Sequence, residues 1–416
     1  MAVSRRSTIS IVVFVLLGAF VALGYWYEQR QVQPGQAANS PAVSVTSGSD
    51  RGPGTLREAL FIAAAADGEV TITMKVPTIT LATALPPIAN ARGIRLVGAE
   101  QGTEIDGASL ANAAILDVGG ANVSIEGLRI VNCKSSGIVL RADRFKLQSS
   151  AIEACDVGID VAENAQQVLI ERNRFANNRI GVRFAASNRN ALVVKNEFSG
   201  NRDAGIWAVR SEPDQRGASI GIRENRFNKE RVGILTANVS VLVERNELVD
   251  SQEAAMQVMG AGAVARGNRI SGGAAMGIVA ENAQGVVLEQ NEFNGIETYA
   301  IMLKSSSDTL VRNNRVYNSG YGFAFVLGNS RSPSSAIENT IIEPKFNGID
   351  VIGDSPILRG NQVMRPRALA LKVVDFEPEG GGEKVRSAPF LEGNNFKPNT
   401  VAASSKAKPA TGVVQR

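Results

Sequence analysis

The sequence predicts an all-β protein in which the chain winds into a parallel β-helix. A segment of about 22 residues recurs along most of the chain, and each copy contains two short apolar runs without helical spacing. The 416 residues include 41 glycines, and aromatic residues make up only 5% of the chain. This composition indicates aliphatic strands separated by turns. One strand-turn-strand-turn circuit of about 22 residues provides one coil, and each strand lies about 4.8 Å from its equivalent in the next coil.

The first 30 residues are predicted to be a targeting segment. Arg5 and Arg6 precede an uncharged, mostly apolar stretch at 7–27, and this order favours export of the rest of the chain. The stretch ends in an aromatic belt at 25–27, and the sequence around it fits a cleavage site poorly. We therefore predict an uncleaved signal-anchor that holds a periplasmic protein to the inner membrane. The alternative is a cleaved signal peptide and secretion.

Two polar segments are predicted to flank the folded domain. Residues 31–46 begin with a stretch rich in Gln, Ala, Pro and Gly, which is typical of a linker. Residues 397–416 contain Lys, Pro, Ser and Ala with almost no large apolar side chain, which predicts a disordered tail. Residues 47–396 are left as one β-helix domain.

The repeats share an apolar strand, a polar corner and a second apolar residue. The corner is usually asparagine, which tolerates a left-handed bend and whose side-chain amides can bond to one another between coils. Aligned in one register, the corners are Leu128, Ser150, Asn173, Asn196, Asn225, Asn246, Asn268, Asn291, Asn314, Asn339 and Asn361. The residue two positions later is apolar in every coil and is predicted to face the core: Ile130, Ile152, Phe175, Phe198, Phe227, Leu248, Ile270, Phe293, Val316, Ile341 and Val363.

The residue directly after the corner alternates in charge over successive coils: Arg174, Glu197, Arg226, Glu247, Arg269, Glu292 and Arg315. Strands in register place each of these charges beside its opposite. Exposed pairs of this kind contribute little to the free energy of folding, and their opposite charges cancel at a distance. We interpret the column as fixing strand register rather than binding a ligand.

These repeats resemble the right-handed, single-stranded parallel β-helix of the pectin-lyase-like superfamily, including its carbohydrate-binding and sugar-hydrolase domains. Residues 52–60, followed by the apolar stretches 61–65 and 70–74, resemble the N-terminal capping helix and first strand of secreted members. A cap covers the core and strand edges at a solenoid end. The superfamily contains lyases, hydrolases, epimerases, adhesins and non-enzymatic proteins, so the resemblance implies the fold and leaves the activity open.

The resemblance also implies that ligands bind the outer face of the strand that begins at a Gly-Ile pair. Strand alternation predicts one outward column there: Val139, Asp160, Arg183, Trp207, Leu235, Gln257, Val279, Met302, Ala324, Asp350 and Ala370. Asp160, Arg183 and Trp207 occupy consecutive coils, and the longest repeat interval follows them, with its surplus in the polar loop 210–218. A carboxylate, a guanidinium and an indole under a loop that begins at Arg210 suggest a saccharide subsite. The alternative is a solvated face with one tryptophan.

Two weaker candidates are Glu281 and Lys304, which stand beside each other in the neighbouring outward column. They fit either a second binding position or an ordinary exposed ion pair.

The sequence contains no histidine, which excludes a Ser-His-Asp triad, an HExxH zinc site and a histidine general base. The resemblance would imply calcium-binding aspartates with a catalytic Arg or Lys in a lyase, or paired aspartates in a hydrolase, and no such cluster stands at matching positions. Asp160 and Arg183 are therefore the only catalytic candidates. We predict no metal site and no cofactor. Basic residues are not grouped with aromatic ones, so nucleic acid is not an expected partner.

These observations favour a membrane-anchored envelope protein that binds, guides or processes a carbohydrate polymer, in the context of exopolysaccharide biosynthesis or export. Its expected partners are the polysaccharide, the inner membrane and export or synthase machinery. One alternative is a polysaccharide lyase, hydrolase or epimerase. Another is a non-catalytic structural or interaction scaffold, which the scarcity of aromatic residues favours.

The two cysteines occupy the same repeat position in adjacent coils. Cys133 follows Leu128 by five residues, and Cys155 follows Ser150 by five residues. The coil spacing predicts Cα atoms about 4.8 Å apart, which a disulfide accepts. Export to an oxidising compartment favours the bond. The alternative is a pair of small buried residues in a turn.

Overall fold

The computed structural model describes residues 41–163, 165–185, 188–210, 219–329, 331–378, 382–397 and 401–407. Within these ranges the chain forms a parallel β-solenoid with a single α-helix. None of the helical structure there is long and apolar enough to cross a membrane. The predicted anchor, residues 1–30, lies outside the described residues, as does most of the predicted linker.

The described chain divides into two compact units. The first comprises residues up to Arg226 together with Ser240–Leu242, and the second comprises Phe227–Val239 and the residues from Val243 onward. Each unit contains strands of three sheets, and each strand pairs in parallel with its equivalent one coil away.

The helix α1, Leu56–Ala65, begins at Thr55. The Thr55 hydroxyl accepts a bond from the Glu58 N–H, and the Glu58 carboxylate accepts one from the Gly54 N–H, so each side chain satisfies an N–H group at the helix start. Leu56, Ala59, Leu60 and Ala63 recur at helical spacing and are buried. The sequence stretch that resembles a capping helix is therefore helical.

The first unit contains nineteen strands among its described residues. Those of the first sheet are β1 (Ala42–Val45), β2 (Val70–Met74), β4 (Ile94–Val97), β7 (Val123–Glu126), β10 (Phe145–Gln148), β13 (Val168–Glu171), β16 (Ala191–Val194) and β19 (Ile220–Arg223). Those of the second are β3 (Thr78–Thr80), β5 (Thr103–Asp106), β8 (Leu128–Val131), β11 (Ala151–Glu153), β14 (Arg174–Ala176) and β17 (Glu197–Ser199). Those of the third are β6 (Leu116–Val118), β9 (Ser136–Leu140), β12 (Val157–Val161), β15 (Ile180–Phe184) and β18 (Ala204–Val209). Strand β1 lies inside the segment 31–46 that the sequence predicts to be a linker. These residues form a strand because Val45 is buried and pairs with Met74.

The second unit repeats the same arrangement. Its first-sheet strands are β25 (Ala263–Arg266), β28 (Val287–Glu289), β31 (Leu310–Arg312), β34 (Ser335–Ile337), β37 (Ile357–Arg359) and β40 (Phe390–Glu392). Its second-sheet strands are β23 (Glu247–Val249), β26 (Arg269–Ser271), β29 (Glu292–Asn294), β32 (Arg315–Tyr317), β35 (Thr340–Ile342), β38 (Gln362–Met364) and β41 (Asn395–Lys397). Its third-sheet strands are β21 (Val232–Ala237), β24 (Ala254–Ala261), β27 (Met276–Gln284), β30 (Tyr299–Lys304), β33 (Tyr321–Val326), β36 (Ile349–Ile352), β39 (Leu371–Phe376) and β42 (Val401–Ala407). Strands β20 (Arg226–Asn228) and β22 (Val241–Glu244) contain residues of both units. Strand β42 lies within the predicted tail and pairs with β39.

The predicted inward column is buried in every coil, from Ile130 to Val363. In the first unit, the rings of Phe175 and Phe198 stack with centroids 5.0 Å apart. The charged column also has the predicted register, because Arg174 lies opposite Glu197 and Arg269 lies opposite Glu292. These two predictions are confirmed by the strand pairing and the burial.

The corner asparagines form ladders of hydrogen bonds, as predicted. In the first unit the Asn173 amide donates to the Asn196 carbonyl oxygen at 3.1 Å, and in the second unit Asn314 donates to Asn339 in the same way at 3.0 Å. The predicted location of the left-handed bend is wrong: the positive φ belongs to the preceding residue, for example Arg172 at 53°. The asparagine side chain is buried within the ladder, so the exposed residue before it makes the bend.

Cys133 and Cys155 are joined in a disulfide, with Cα atoms 4.2 Å apart. Cys155 stands in a second ladder, where its N–H donates to the Asn178 side chain at 3.0 Å. The disulfide therefore occupies the corner position that asparagine fills in the following coils.

Candidate functional site

The third sheet of the first unit brings Asp160, Arg183 and Trp207 into register. Asp160 lies opposite Arg183, and Arg183 lies opposite Trp207. All three side chains are partly exposed, because they alternate with buried residues along β12, β15 and β18. The sequence placed them on one outer face in consecutive coils, and the structure brings them together there.

Arg183 and Asp160 form a bidentate ion pair. The guanidinium donates from Nε to Oδ1 at 2.8 Å and from Nη2 to Oδ2 at 2.5 Å. The hydrogen bond to Asp160 raises the pKa of Arg183 despite partial burial. Arg183 is therefore always charged and cannot accept a proton as a base. The pair fixes the plane of the guanidinium in the coil next to Trp207.

A second row of charges, which the sequence reasoning missed, runs beside the first. Arg179 donates to Asp156 at 2.6 Å from Nε and to Asp203 at 3.0 Å from Nη1. The bonds from Arg179 lower the pKa of Asp156, and the two carboxylates raise the pKa of Arg179. The sequence contains a signal for this second row, because each of its three residues stands four positions before a residue of the first row. We name the surface formed by Asp156, Arg179, Asp203, Asp160, Arg183 and Trp207 the polar face.

Arg210 follows β18 and is partly buried. The rest of the polar loop over the candidate subsite, residues 211–218, lies outside the described residues. In the second unit, the Lys304 ammonium donates to the Glu281 carboxylate at 2.7 Å, and the two residues lie opposite each other on β27 and β30. Both side chains are more than a third exposed, so solvent screens the pair.

The sequence reasoning also missed a partly buried cluster in the second unit, which we name the tyrosine cluster: Tyr299, Tyr321, Phe346, Asn347 and Asp350. The Tyr299 hydroxyl donates to Asp350 Oδ2 at 2.7 Å, and the Asn347 amide donates to Oδ1 at 2.8 Å. Asp350 is only 3% exposed. Burial raises the pKa of Asp350, although the two bonds oppose the shift.

The predicted register of the last coil in this region is wrong. Asp350 lies opposite Lys372, whereas the sequence alignment had placed Ala370 in that position. Asp350 follows its corner residue Asn339 by 11 residues, and Lys372 follows Asn361 by the same 11 residues, whereas Ala370 follows Asn361 by only nine. The positive charge of Lys372 partly offsets the effect of burial on the pKa of Asp350.

A second buried carboxylate, Asp354, lies just beyond β36. It accepts bonds from the N–H groups of Ser355 and Gly328, yet burial raises its pKa to about 6. The Ser387 hydroxyl covers this segment by accepting a bond from the Gly353 N–H at 2.7 Å. Among the described residues, no group of three or more Asp, Glu or Cys side chains could hold a metal ion.

The first unit also has a groove of about 790 Å³ at the corner between its first and second sheets. Arg129, Arg172 and Arg174 line it. Arg129 and Arg174 share the Glu153 carboxylate, and Arg172 contacts Glu171. Its charges are therefore balanced within the protein, and the groove offers no distinct ligand chemistry.

Comparison with known proteins connects this geometry to a family. A family model for the right-handed β-helix region matches residues 89–215 and 214–363. A search of curated protein sequences finds no significant match.

Three solved structures with similar folds illustrate the range of the architecture. The catalytic unit of a thermostable α-1,3-glucanase from Streptomyces thermodiastaticus is 15% identical, with 89% of this chain and 71% of that chain covered and a TM-score of 0.57. A surface adhesin of Streptococcus pneumoniae is 13% identical, with coverages of 82% and 94% and a TM-score of 0.53. A PL6 family polysaccharide lyase from Pseudopedobacter saltans is 14% identical, with coverages of 90% and 95% and a TM-score of 0.52. The TM-scores above 0.5 show a shared fold, and the family match over most of the sequence shows that the chain belongs to the right-handed β-helix family.

Proposed function

We propose that the polar face binds a carbohydrate polymer. The observation that carries the proposal is the registered set of Asp160, Arg183 and Trp207 on three consecutive strands. A partly exposed indole offers an apolar plane for a sugar ring, and the neighbouring charged groups offer bonds to hydroxyls. Strands that repeat at about 4.8 Å extend such contacts along a chain-like ligand.

The ion pair leaves binding capacity on both partners. Arg183 uses Nε and Nη2 toward Asp160, so Nη1 and one further N–H of Nη2 remain for a ligand. Each carboxylate oxygen of Asp160 can accept a second bond. Because Asp160 already orients the guanidinium, a bound sugar does not have to order it, which lowers the entropic cost of binding.

Two of the structures with similar folds are an α-1,3-glucanase and a polysaccharide lyase, which supports the choice of ligand class. The pairing of Asp160 and Arg183 favours binding over catalysis, because Arg183 cannot act as a base and Asp160 is already engaged by it. Lyase, hydrolase or epimerase activity through these two residues is the alternative.

The test compares the full-length chain with the variant Trp207→Ala in affinity electrophoresis through a panel of neutral and acidic polysaccharides. We expect Trp207→Ala to weaken binding about tenfold, which corresponds to the loss of one aromatic stacking contact. The matched variant Trp207→Phe keeps an aromatic face and should bind nearly as well. Gln257→Ala, at the equivalent position of a coil in the second unit, is the negative control.

Binding that is unchanged in Trp207→Ala would refute the site. A large loss of thermal stability would show instead that the indole belongs to the core. Release of reducing ends or unsaturated sugars by the wild-type chain, lost in Asp160→Asn, would establish the enzymatic alternative.

We further propose the cellular setting that the N-terminal sequence suggests. Arg5, Arg6 and the apolar stretch support an uncleaved anchor in the inner membrane and a β-helix in the periplasm. In that setting the protein would act together with polymer synthesis or export machinery. Helix α1 packs beside β1 and β2, which supports a capping role. N-terminal sequencing of the protein from fractionated envelopes tests the anchor, and a first residue beyond Gly24 would refute it.

A further inference from the structure

Three aromatic rings of the tyrosine cluster form a continuous stack. Tyr299 and Tyr321 have ring centroids 4.5 Å apart, and Tyr321 and Phe346 have centroids 4.9 Å apart, with 25° between the planes in both pairs. Exposure increases along the stack: Tyr299 is buried, Tyr321 is partly buried and Phe346 is 50% exposed. The stack therefore begins in the protein interior and ends at the surface.

Polar contacts below the stack hold it in place. Asp350 accepts bonds from Tyr299 and Asn347, and the Asn347 side-chain oxygen Oδ1 accepts a bond from the Leu369 N–H in the next coil at 3.2 Å. Burying a carboxylate is costly, and this one has two neutral donors as bonding partners. The protein thus fixes the inner ring of the stack and the segment that carries the outer ring.

The next coil does not continue the stack. The Ala368 N–H donates to the Phe346 carbonyl oxygen at 3.3 Å, so the residues beside Phe346 in that coil are Arg367 and Ala368. A methyl group is too small to cover a phenyl ring. The outer ring is half-exposed for this reason, while the rings beneath it are covered by their neighbours.

Two cationic residues lie next to Phe346 along the backbone. Lys345 directly precedes Phe346, and Arg367 lies in the next coil, where its N–H donates to Pro344 at 3.1 Å. Both side chains are exposed, and neither forms an ion pair with another residue in the described part of the chain. The nearby Glu343 is engaged by Arg365 at 2.8 Å. The backbone beside Phe346 therefore carries two exposed cations that form no ion pair within the described residues.

We propose that Phe346, Lys345 and Arg367 bind a uronic acid unit of an acidic polysaccharide. The sugar ring would lie on the open face of Phe346 as the next member of the stack, and its carboxylate would bond to Arg367 and Lys345. This inference deepens the proposed carbohydrate binding and rests on it, because it assigns the polymer to the acidic class and adds a site in the second unit.

The test measures binding of the full-length chain to oligogalacturonate and to the same oligosaccharide after reduction of its carboxyl groups. We expect the acidic form to bind about tenfold more tightly. Phe346→Ala and the double variant Lys345→Gln/Arg367→Gln should each lose about tenfold in affinity for the acidic form. Phe390→Ala removes a phenylalanine that is 55% exposed, and Arg315→Gln removes an exposed arginine, so these two are the matched controls.

Phe346→Leu keeps the apolar volume without the aromatic face, so it carries the test if Phe346→Ala lowers the melting temperature. Equal binding of the acidic and reduced forms, or full affinity in the variants, would overturn the inference. So would a preference for a sulfated glycan over the uronate. If Trp207→Ala weakens saccharide binding and the Phe346 variants do not, the proposed function stands and this inference fails. If no saccharide binds the wild-type chain, the proposed function itself fails.

Discussion

Asp160 and Asp350 occupy equivalent positions of their coils, yet the polar face and the tyrosine cluster treat a carboxylate in opposite ways. Asp160 stays at the surface and is neutralised by Arg183 in the next coil. Asp350 is buried, with tyrosine and asparagine as its hydrogen-bonding partners and burial raising its pKa. The difference comes from the neighbouring residues. Tyr299 at the start of β30 and Asn347 in the turn before β36 both donate to Asp350. A repeat position therefore determines direction, and the residues around it determine environment.

The two units also differ in how their coils are held together, and this difference gives the largest expected effect. The disulfide in the first unit closes a loop of 22 residues. Replacing both cysteines, Cys133→Ser with Cys155→Ser, should reduce the free energy of unfolding by about 3 kcal/mol in the chain-entropy account. Guanidinium unfolding monitored by hydrogen exchange should locate the loss in the first unit. Two titratable thiols in the unfolded, unreduced protein would contradict the crosslink.

The second prediction tests the contrast between the two carboxylates directly. Asp350→Ala should destabilise the second unit by about 2–3 kcal/mol, because it leaves buried donors of Tyr299 and Asn347 without an acceptor. Asp160→Ala is the matched control and should cost less than about 1 kcal/mol, since its ion pair is partly solvated. If both variants lose the same unfolding free energy, the proposed difference between the two environments is wrong.

The third prediction uses pH to separate the units. Burial raises the pKa of Asp354 to about 6, so the folded second unit binds its proton more tightly than the unfolded chain does. Its contribution to stability is full below about pH 4 and is lost as the pH rises through about 6. Asp354→Asn removes the titrating carboxyl and therefore this loss. The difference in unfolding free energy between the variant and the wild-type chain should be about 1–3 kcal/mol more favourable to the variant at pH 7 than at pH 4.

The first unit should show the opposite sign. Bonds from Arg179 lower the pKa of Asp156, so its contribution is present above about pH 4 and is lost as the pH falls through the folded value. Hydrogen exchange from about pH 2 to about pH 7.5 on Asp354→Asn and Asp156→Asn follows each unit separately and covers both transitions. The same pH dependence in both variants would show that the two carboxylates do not differ.

The repeats were sufficient to predict the coil, because the inward column from Ile130 to Val363 depends on spacing alone. The same spacing placed Asp160, Arg183 and Trp207 together. The prediction missed Lys372 beside Asp350 because it placed the outward residue nine positions after Asn361, whereas Asp350 lies 11 positions after Asn339 and Lys372 lies 11 after Asn361. The spacing also did not reveal the tyrosine cluster. Tyr299 and Tyr321 share one register position on β30 and β33, but Phe346 and Asn347 lie in the turn before β36, outside the repeated strand pattern.

The last member of the second unit's ladder, Asn394, has a consequence for how this protein could change in length. Its side chain accepts bonds from the Asn361 N–H and amide at 2.9 and 3.0 Å and donates back to Leu358 at 2.8 Å. The same set of bonds joins Asn339 to Asn361, so a coil at the end of the ladder presents the same chemistry as a coil in its middle. Gain or loss of a whole coil therefore restores every corner bond, whereas a shift of a few residues breaks the ladder. Evolution can lengthen such a protein in steps of one coil and leave its existing surfaces intact.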